Sequence, residues 1–231
     1  MSLELQHPVV LLNGLIFPQK WGNISYYEKV LASFPGQLPL LPSLPAWGTQ
    51  KERMDQLKSF LQARPEKEFH LIGHSQGGVD ARMLLEDPDF RKRILTLTSI
   101  NSPFRGTPIA SFIPKLKHQW SHLKYLMENP LKEQKWVPHF SVVSSIKEDA
   151  FSHLPLFRFT EPRLRPIIGE NDGFLALSSM RMGEEILYTA TDHLCAVGWP
   201  HHLGHRMFAA PAPQFFFEKI FSKLSTWEKK R

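Results

Sequence analysis

The sequence predicts an α/β protein, in which helices cover both faces of a mostly parallel central sheet. Apolar runs of strand length alternate with segments of helical period, and this order is typical of such folds. The first run, Val9–Leu12, is apolar throughout, as expected for a strand buried on both faces. At 231 residues, of which 42% are hydrophobic and 22% charged, the chain is long enough for a large core. We therefore expect a single domain over residues 1–231.

The predicted elements follow one another in a regular order. Thr49 is a candidate N-cap for a helix that ends before Pro65, because threonine accepts hydrogen bonds from the first helical N–H groups. The predicted strands are Val9–Leu12, Phe69–Ile72, Ile94–Ile100, Phe140–Ile146 and Glu185–Ala190. A helical stretch follows the second strand and ends at Asp87-Pro88, and the last helix runs from about Pro213 to Trp227.

Charge and cysteine content limit the partners and the compartment. The net charge is +6, but the basic residues are scattered and no nucleic-acid-binding motif accompanies them, so we expect no nucleic-acid partner. No apolar run approaches the roughly 18 residues of a membrane-spanning helix. The segment from Met1 to Pro8 lacks the features of a secretory signal, and Cys195 has no second cysteine to pair with. We expect a cytoplasmic protein, or a secreted one if a signal had been removed.

A nucleophile motif follows the second predicted strand. Gly73-His74-Ser75-Gln76-Gly77 fits G-x-S-x-G, in which the serine sits at a strained turn between a strand and a helix. The glycines have a steric reason, since a Cβ on either side of so sharp a turn would clash with neighbouring backbone. The alternative is that Ser75 is an ordinary N-cap. That alternative explains the serine but leaves the glycines on both sides unexplained.

A nucleophilic serine needs a histidine base and a carboxylate that orients the base. Proteins with this motif carry them in the chain order serine, acid, histidine. Asp172, in Asn171-Asp172-Gly173, is the candidate acid, and His193 follows the last predicted strand. The alternative for Asp172 is a turn residue. The competing histidines are His201, His202 and His205. Asp192 is expected to point away from the ring of its neighbour His193.

Two backbone N–H groups are candidates for an oxyanion hole. One belongs to Gln76, directly after the nucleophile, and the other to Leu15, in the loop after the first strand. A helix that begins at the serine also directs its positive dipole end at this point. Leu15 is chosen by position alone, so an ordinary apolar loop residue is the alternative.

Four stretches resemble the true bacterial lipases of the α/β-hydrolase superfamily, the group of the Pseudomonas and Burkholderia triacylglycerol lipases. They are residues 7–15, 73–78 with the preceding Leu71-Ile72, 98–107, and 171–194. The resemblance implies an α/β-hydrolase fold and ester hydrolysis through an acyl-enzyme. It supports Ser75, Asp172 and His193 as the triad, with Leu15 and Gln76 as the oxyanion donors.

The sequence also departs from this family pattern. Asn13 stands where a histidine is usual, and Cys195 stands where members carry an aspartate that binds calcium. We therefore expect no structural calcium at that position, and no metal or cofactor in the reaction. The family's paired cysteines and export signal are missing, and the shorter chain predicts a reduced cap.

Residues 108–138 lie where the fold places a lid. Ile113, Leu116, Trp120, Leu123 and Met127 recur at steps of three and four residues, with Lys115, Lys117, Lys124 and Glu128 largely on other faces. A movable lid with this apolar face would admit acyl chains and make transient contact with a lipid surface. The alternative is a fixed helix packed on the core.

These observations predict a serine carboxylic-ester hydrolase, a lipase or esterase acting on acyl-ester or lipid substrates. A thioesterase or acyltransferase with the same triad is the first alternative, since the pocket decides which activated acyl group reacts. A lipid-binding protein that has lost catalysis is the second. A metal enzyme built on His201, His202 and His205 is the third, although the glutamate of H-E-x-x-H is absent.

Overall fold

The fold is built on a five-stranded, fully parallel sheet. The computed structural model describes residues 5–22, 24–31, 34, 38–109, 121–147, 155–198 and 213–231. Across the sheet the strands lie in the order β1 (Val9–Leu12), β4 (Phe69–His74), β5 (Ile94–Ile100), β6 (His139–Ser144) and β7 (Glu184–Thr189). A separate antiparallel pair is formed by β2 (Lys20–Trp21) and β3 (Ile24–Ser25). The prediction of an α/β fold with a mostly parallel sheet is confirmed.

Helices cover both faces of this sheet. They are α1 (Glu28–Leu31), α2 (Gln50–Gln62), α3 (Gln76–Leu84), α4 (Pro88–Arg91), α5 (Ser121–Glu128), α6 (Pro155–Ile168), α7 (Leu177–Met180) and α8 (Pro213–Glu228). On one face, α1 and α8 pack against the sheet through a cluster that includes Val30, Phe217 and Phe221. On the other face, α2 and α3 contribute Leu57 and Leu84 to a second cluster.

The order of these elements follows the predicted pattern closely. β1 and β5 have the predicted bounds, and β4, β6 and β7 agree within two residues at each end. Thr49 caps α2 as expected: its hydroxyl oxygen accepts from the Glu52 backbone N–H, and the Glu52 carboxylate accepts from the Thr49 backbone N–H, so the two residues form a capping box. The β2–β3 pair and α6 were not predicted. α6 contains Pro162 and Pro166, residues that normally end a helix.

The sheet sets the position of the functional residues. Strands β4, β5 and β6 are buried along their full length, and parallel pairing brings their carboxyl ends to the same edge. Ser75, Asn101 and Ser145 each follow one of these strands directly. Loops at this edge of a parallel sheet are where ligands bind in open α/β folds.

None of the helices in the described ranges is long and apolar enough to span a membrane.

Candidate active site

Ser75 lies at a strained turn between β4 and α3. Its φ is 55°, a left-handed value that costs energy for any residue with a Cβ. Its backbone N–H donates to the Ile100 carbonyl (2.8 Å), which fixes the turn against β5. The Ser75 side chain makes no capping hydrogen bond to α3, so the N-cap alternative does not account for this serine. The strained conformation directs the Ser75 hydroxyl away from the line of β4.

The glycines on both sides of Ser75 allow this turn to close. A Cβ on Gly73 would overlap the Gly77 backbone, and a Cβ on Gly77 would overlap the Leu12 carbonyl of β1. The loop after β1 also lies close to the turn, because a Cβ on Gly14 would lie 3.0 Å from the Ser75 Cβ. The turn is therefore packed between β1 and α3, and the reason given for the glycines from the sequence holds.

Ser75, His193 and Asp172 form a continuous chain of hydrogen bonds. The Ser75 Oγ lies 3.0 Å from His193 Nε2, and His193 Nδ1 lies 2.7 Å from Asp172 Oδ2. All three residues are buried. The serine can therefore pass its proton to one ring nitrogen while the carboxylate holds the other nitrogen protonated, which is the arrangement of a catalytic triad.

Asp172 is both a turn residue and the partner of the histidine. Its Oδ1 accepts from the backbone N–H groups of Phe174 (3.0 Å) and Leu175 (2.7 Å), which forms the turn considered as an alternative from the sequence. Its Oδ2 remains free for His193. Asp172 can therefore be a turn residue and the partner of His193 at once, because the turn fixes Oδ1 and thereby orients Oδ2 towards the His193 ring.

The backbone of His193 is held from three sides. Its N–H donates to the Asp172 carbonyl (3.0 Å), and its carbonyl accepts from His74 Nε2 (2.8 Å) and Asn101 Nδ2 (3.4 Å). His74 Nδ1 in turn lies 2.6 Å from the Tyr26 hydroxyl. Burial, together with His193 nearby, holds the pKa of His74 well below its usual range. His74 is therefore neutral, with Nε2–H donating to His193 and Nδ1 accepting from Tyr26.

The two predicted oxyanion donors are available for a ligand. Gln76 is the first residue of α3, so its N–H has no acceptor within the helix, and no backbone carbonyl of the described residues accepts it. The same is true of the N–H of Leu15. Leu15 follows Gly14, which lies against Ser75. Leu15 therefore belongs to the loop after β1 and Gln76 to the start of α3, and both segments lie next to Ser75.

A buried ion pair links the two segments that carry these donors. Arg53 of α2 contacts Asp80 of α3 through Nε (2.9 Å) and Nη2 (2.7 Å), and both side chains are fully buried. Arg53 also donates to the carbonyls of Asn13 (2.6 Å) and Gly14 (3.3 Å), directly before Leu15. This network was not predicted from the sequence.

On the other side of the pair, Asp80 holds the residue after the nucleophile. Its Oδ1 accepts from the side-chain amides of Gln76 (3.0 Å) and Gln50 (2.8 Å), and the Gln76 amide also donates to the Gln50 oxygen (2.6 Å). Asn13, which stands at the histidine position of the family pattern, donates its amide to the Gly14 carbonyl (3.0 Å). Side chains on α2 and α3 thus hold the two segments that carry the candidate oxyanion donors, the loop before Leu15 and the start of α3 at Gln76.

The remaining candidates are placed as follows. Asp192 does not orient the His193 ring, because its Oδ1 caps the N–H groups of Leu194 (3.0 Å) and Cys195 (2.9 Å). Cys195 is buried, and burial with the adjacent Asp192 raises the pKa of its thiol, so it is held as the neutral thiol. His201, His202 and His205 lie outside the described residues.

Of the lid segment, the structure describes residues 108–109 and 121–138, which include the helix α5. Leu123 is buried whereas Met127 is 43% exposed, so these two members of the proposed apolar stripe do not share one environment. Ile113, Leu116 and Trp120 lie outside the described residues. His122 contacts the side-chain oxygen of Gln76, which connects α5 to the residue after the nucleophile. Motion of this segment stays a prediction.

Comparisons with known proteins give relatives of one chemical type. A family model described as palmitoyl protein thioesterase matches residues 44–148. Triacylglycerol lipase 2 of Saccharomyces cerevisiae is 27% identical over 190 residues, which cover 69% of this chain and 57% of the yeast protein. The chain thus spans little more than half the length of this curated relative.

Solved structures share the fold at low sequence identity. A metagenomic carboxyl esterase superposes with a TM-score of 0.69 and 15% identity, over 94% of this chain and 76% of the esterase. The propeptide form of a Bacillus licheniformis lipase superposes with a TM-score of 0.65 and 15% identity, over 89% of this chain and 51% of the lipase. Together with the parallel sheet and the turn at Ser75, these likenesses show that the chain has the α/β-hydrolase fold.

Proposed function

We propose that this protein is a serine hydrolase that cleaves carboxylic acyl esters, with Ser75 as nucleophile, His193 as base and Asp172 as the acid that orients the base. The single observation that carries the proposal is the hydrogen-bond chain from Ser75 through His193 to Asp172, with spacings of 3.0 and 2.7 Å. A serine hydroxyl alone is a weak nucleophile, and such a chain is the means by which proteins activate it.

The geometry supports a two-step mechanism. The Ser75 Oγ attacks the ester carbonyl carbon while His193 Nε2 takes the hydroxyl proton, and Asp172 stabilises the imidazolium that forms. When the tetrahedral intermediate collapses, His193 returns the proton to the leaving alcohol and the acyl group remains on Ser75. Water, deprotonated by His193, then attacks the acyl-enzyme and releases the acid. The Ser75 hydroxyl is regenerated with its proton.

The N–H groups of Leu15 and Gln76 are the proposed oxyanion donors. No backbone carbonyl of the described residues accepts either N–H group, Gln76 directly follows Ser75, and Gly14, the neighbour of Leu15, lies against Ser75; these observations support the role. Loss of one such donor typically lowers kcat by about 10² to 10³-fold, because preorganised dipoles act where negative charge develops. Both donors are main-chain groups, so the segments that hold them are the points at which substitution should act.

Acyl esters are the proposed substrates because the lipase and esterase relatives are named for that chemistry. The test is hydrolysis of p-nitrophenyl esters from acetate to palmitate by wild type, by Ser75→Ala and by the control Ser59→Ala. Ser59 is an exposed residue of α2, and its substitution should leave the rate unchanged. Activity that disappears in Ser75→Ala alone supports the proposal. A folded wild type without activity on any ester, or activity that survives in Ser75→Ala, contradicts it.

Thioester hydrolysis is the second candidate, and the match of residues 44–148 to the palmitoyl protein thioesterase model favours it. The same triad would serve, since a thiolate is a better leaving group than an alkoxide. The two candidates separate when the acyl chain is held constant. We would compare kcat/KM for p-nitrophenyl palmitate with that for palmitoyl-coenzyme A, following the released thiol with a chromogenic reagent. A large preference for the thioester, lost in Ser75→Ala, would favour the second candidate.

A further inference from the structure

Two histidines and a glutamate meet at the end of the sheet opposite Ser75. His7 precedes β1, His70 lies near the start of β4, and Glu228 is the last residue of α8. Glu228 Oε1 lies 2.9 Å from His7 Nδ1 and 3.0 Å from His70 Nε2. His70 and Ser75 are five residues apart on an extended strand, or roughly 16 Å. This cluster is therefore separate from the proposed catalytic site.

The cluster is a potential set of metal ligands rather than a plain carboxylate patch. Its three ligand atoms all lie within 4.8 Å of one another. The His70 and Glu228 side chains are almost fully buried, at 0% and 4% exposure, whereas His7 is 28% exposed and gives access from solvent. Imidazole nitrogens with one carboxylate form a donor set typical of zinc.

Each proposed ligand also has an outer partner. His7 Nε2 lies 3.5 Å from Glu68 Oε2, and His70 Nδ1 lies 2.8 Å from the Thr96 hydroxyl. The second oxygen of Glu228 accepts from the Gln6 backbone N–H (2.8 Å). Histidines that bind metals almost always engage their other ring nitrogen in this way, because the outer partner fixes the ring and its tautomer.

We propose that His7 Nδ1, His70 Nε2 and Glu228 Oε1 bind a zinc ion, with water in the fourth position. Tetrahedral coordination at about 2.0 to 2.1 Å requires ligand atoms roughly 3.4 Å apart. The observed separations of 2.9 and 3.0 Å from Glu228 have to widen by a few tenths of an ångström, and the separation between His7 Nδ1 and His70 Nε2, which is at most 4.8 Å, has to reach the same value.

Proton and charge balance also permit binding. The two imidazoles bind zinc in their neutral forms, in which the proton lies on the nitrogen that faces the outer partner. His70 Nδ1–H then donates to Thr96, and His7 Nε2–H donates to Glu68. Glu68 and Glu228 carry two negative charges, and Arg231, paired with Glu68 at 2.6 Å, carries one positive charge. The group without metal therefore has a net charge of about −1, which favours a dication.

The consequence of zinc binding is structural. The ion would join the chain before β1, the start of β4 and the end of α8, three segments that are distant in sequence. A site this far from Ser75 would stabilise the fold without entering the proposed hydrolysis.

The test is zinc binding by the full-length protein after chelation, measured by competition with a chromophoric zinc chelator. We expect one equivalent per chain. His7→Ala and Glu228→Gln should each weaken binding by at least about 100-fold, and Glu68→Gln by about tenfold as an outer partner. Zinc at about 100 times its Kd should raise the Tm of wild type by about 5 to 10 °C.

The matched control replaces the other clustered histidines, His201→Ala with His202→Ala and His205→Ala. This variant should bind zinc as wild type does. Circular dichroism of His7→Ala and Glu228→Gln checks that both variants are folded, and partial exposure of His7 makes that substitution mild. The proposal is overturned if wild type binds no zinc, if binding is unchanged in both ligand variants, or if the control variant alone loses it.

Discussion

Breaking the buried pair between Arg53 and Asp80 should destabilise the protein strongly. Both side chains are fully buried, and they are joined by two contacts of 2.9 and 2.7 Å. Asp80→Asn keeps the shape of the side chain and removes its charge. The Arg53 guanidinium is then left as a cation in the interior, held only by the dipoles of the carbonyls it contacts and an uncharged amide.

The expected loss for Asp80→Asn is about 3 to 5 kcal/mol in the free energy of unfolding, the usual cost of leaving one partner of a buried pair uncompensated. For a chain of this size such a loss lowers Tm by roughly 6 to 20 °C. Arg53→Met should cost a similar amount, because it leaves the Asp80 carboxylate buried with amide partners alone. The double variant contains neither charge, so it should lose less than the sum of the two single variants.

The assay is urea unfolding of wild type, Asp80→Asn, Arg53→Met and the double variant. The control is Asp55→Asn, which removes the partner of Lys51 in a pair of exposed side chains on α2 and should cause no measurable loss. The reasoning predicts a coupling free energy of about 2 kcal/mol or more between the two buried positions. Additive losses in the double variant, or an Asp80→Asn variant as stable as the control, would refute it.

Three further predictions concern pH, positioning and the lid. Burial lowers the pKa of His139 to about 3 from its usual value of about 6.5, so between these pH values the unfolded chain binds a proton that the folded chain does not. The free energy of unfolding should therefore fall as the pH decreases through this window, and His139 should account for about 2 kcal/mol of the fall from pH 7 to pH 5. Urea unfolding at several pH values should show a smaller fall for His139→Gln than for wild type. An equal fall in both proteins would contradict the low pKa of His139. His74→Leu should lower kcat about 10- to 100-fold with little change in KM, because His74 donates a hydrogen bond to the His193 carbonyl and so positions that residue. His74→Gln should recover part of the rate. A change confined to KM would exclude a positioning role. Trp120→Glu should reduce the rate on emulsified long-chain esters more than on soluble short ones, and equal losses would argue against a lid that contacts lipid.

The order of elements could be predicted because it depends on local patterns. The fully buried strand β1 is a continuous apolar run, β5 is apolar or β-branched except at Ser99, and the Thr49 cap with Glu52 marks the start of α2. The helix α6 could not be predicted in this way. Its two prolines argue against a helix, and tertiary contacts of its buried residues Phe157 and Leu164 outweigh that local cost.

The three residues of the hydrogen-bond chain were also accessible from the sequence. Ser75 is marked by its flanking glycines, whereas Asp172 and His193 were selected by chain order and by their place after strands. The structure brings them together because β4, β6 and β7 are parallel strands of one sheet, so their carboxyl ends share one edge. Their catalytic roles stay a prediction that the Ser75→Ala comparison tests.

Arg53 and Asp80, which hold this site, could not be identified from the sequence because their roles depend on contacts between segments that are distant along the chain. Arg53 lies 40 residues from Asn13 and 27 from Asp80, and no spacing rule connects them. An arginine among the polar residues of α2 is expected at the surface, yet here it is fully buried. Its burial has a physical reason, since the carbonyls before Leu15 and the carboxylate behind Gln76 together supply the acceptors that a guanidinium needs. The contacts that offset the cost of burying this charge also hold the segments that carry the N–H groups of Leu15 and Gln76. The free energy of unfolding and the geometry of the proposed oxyanion hole therefore depend on the same contacts of Arg53.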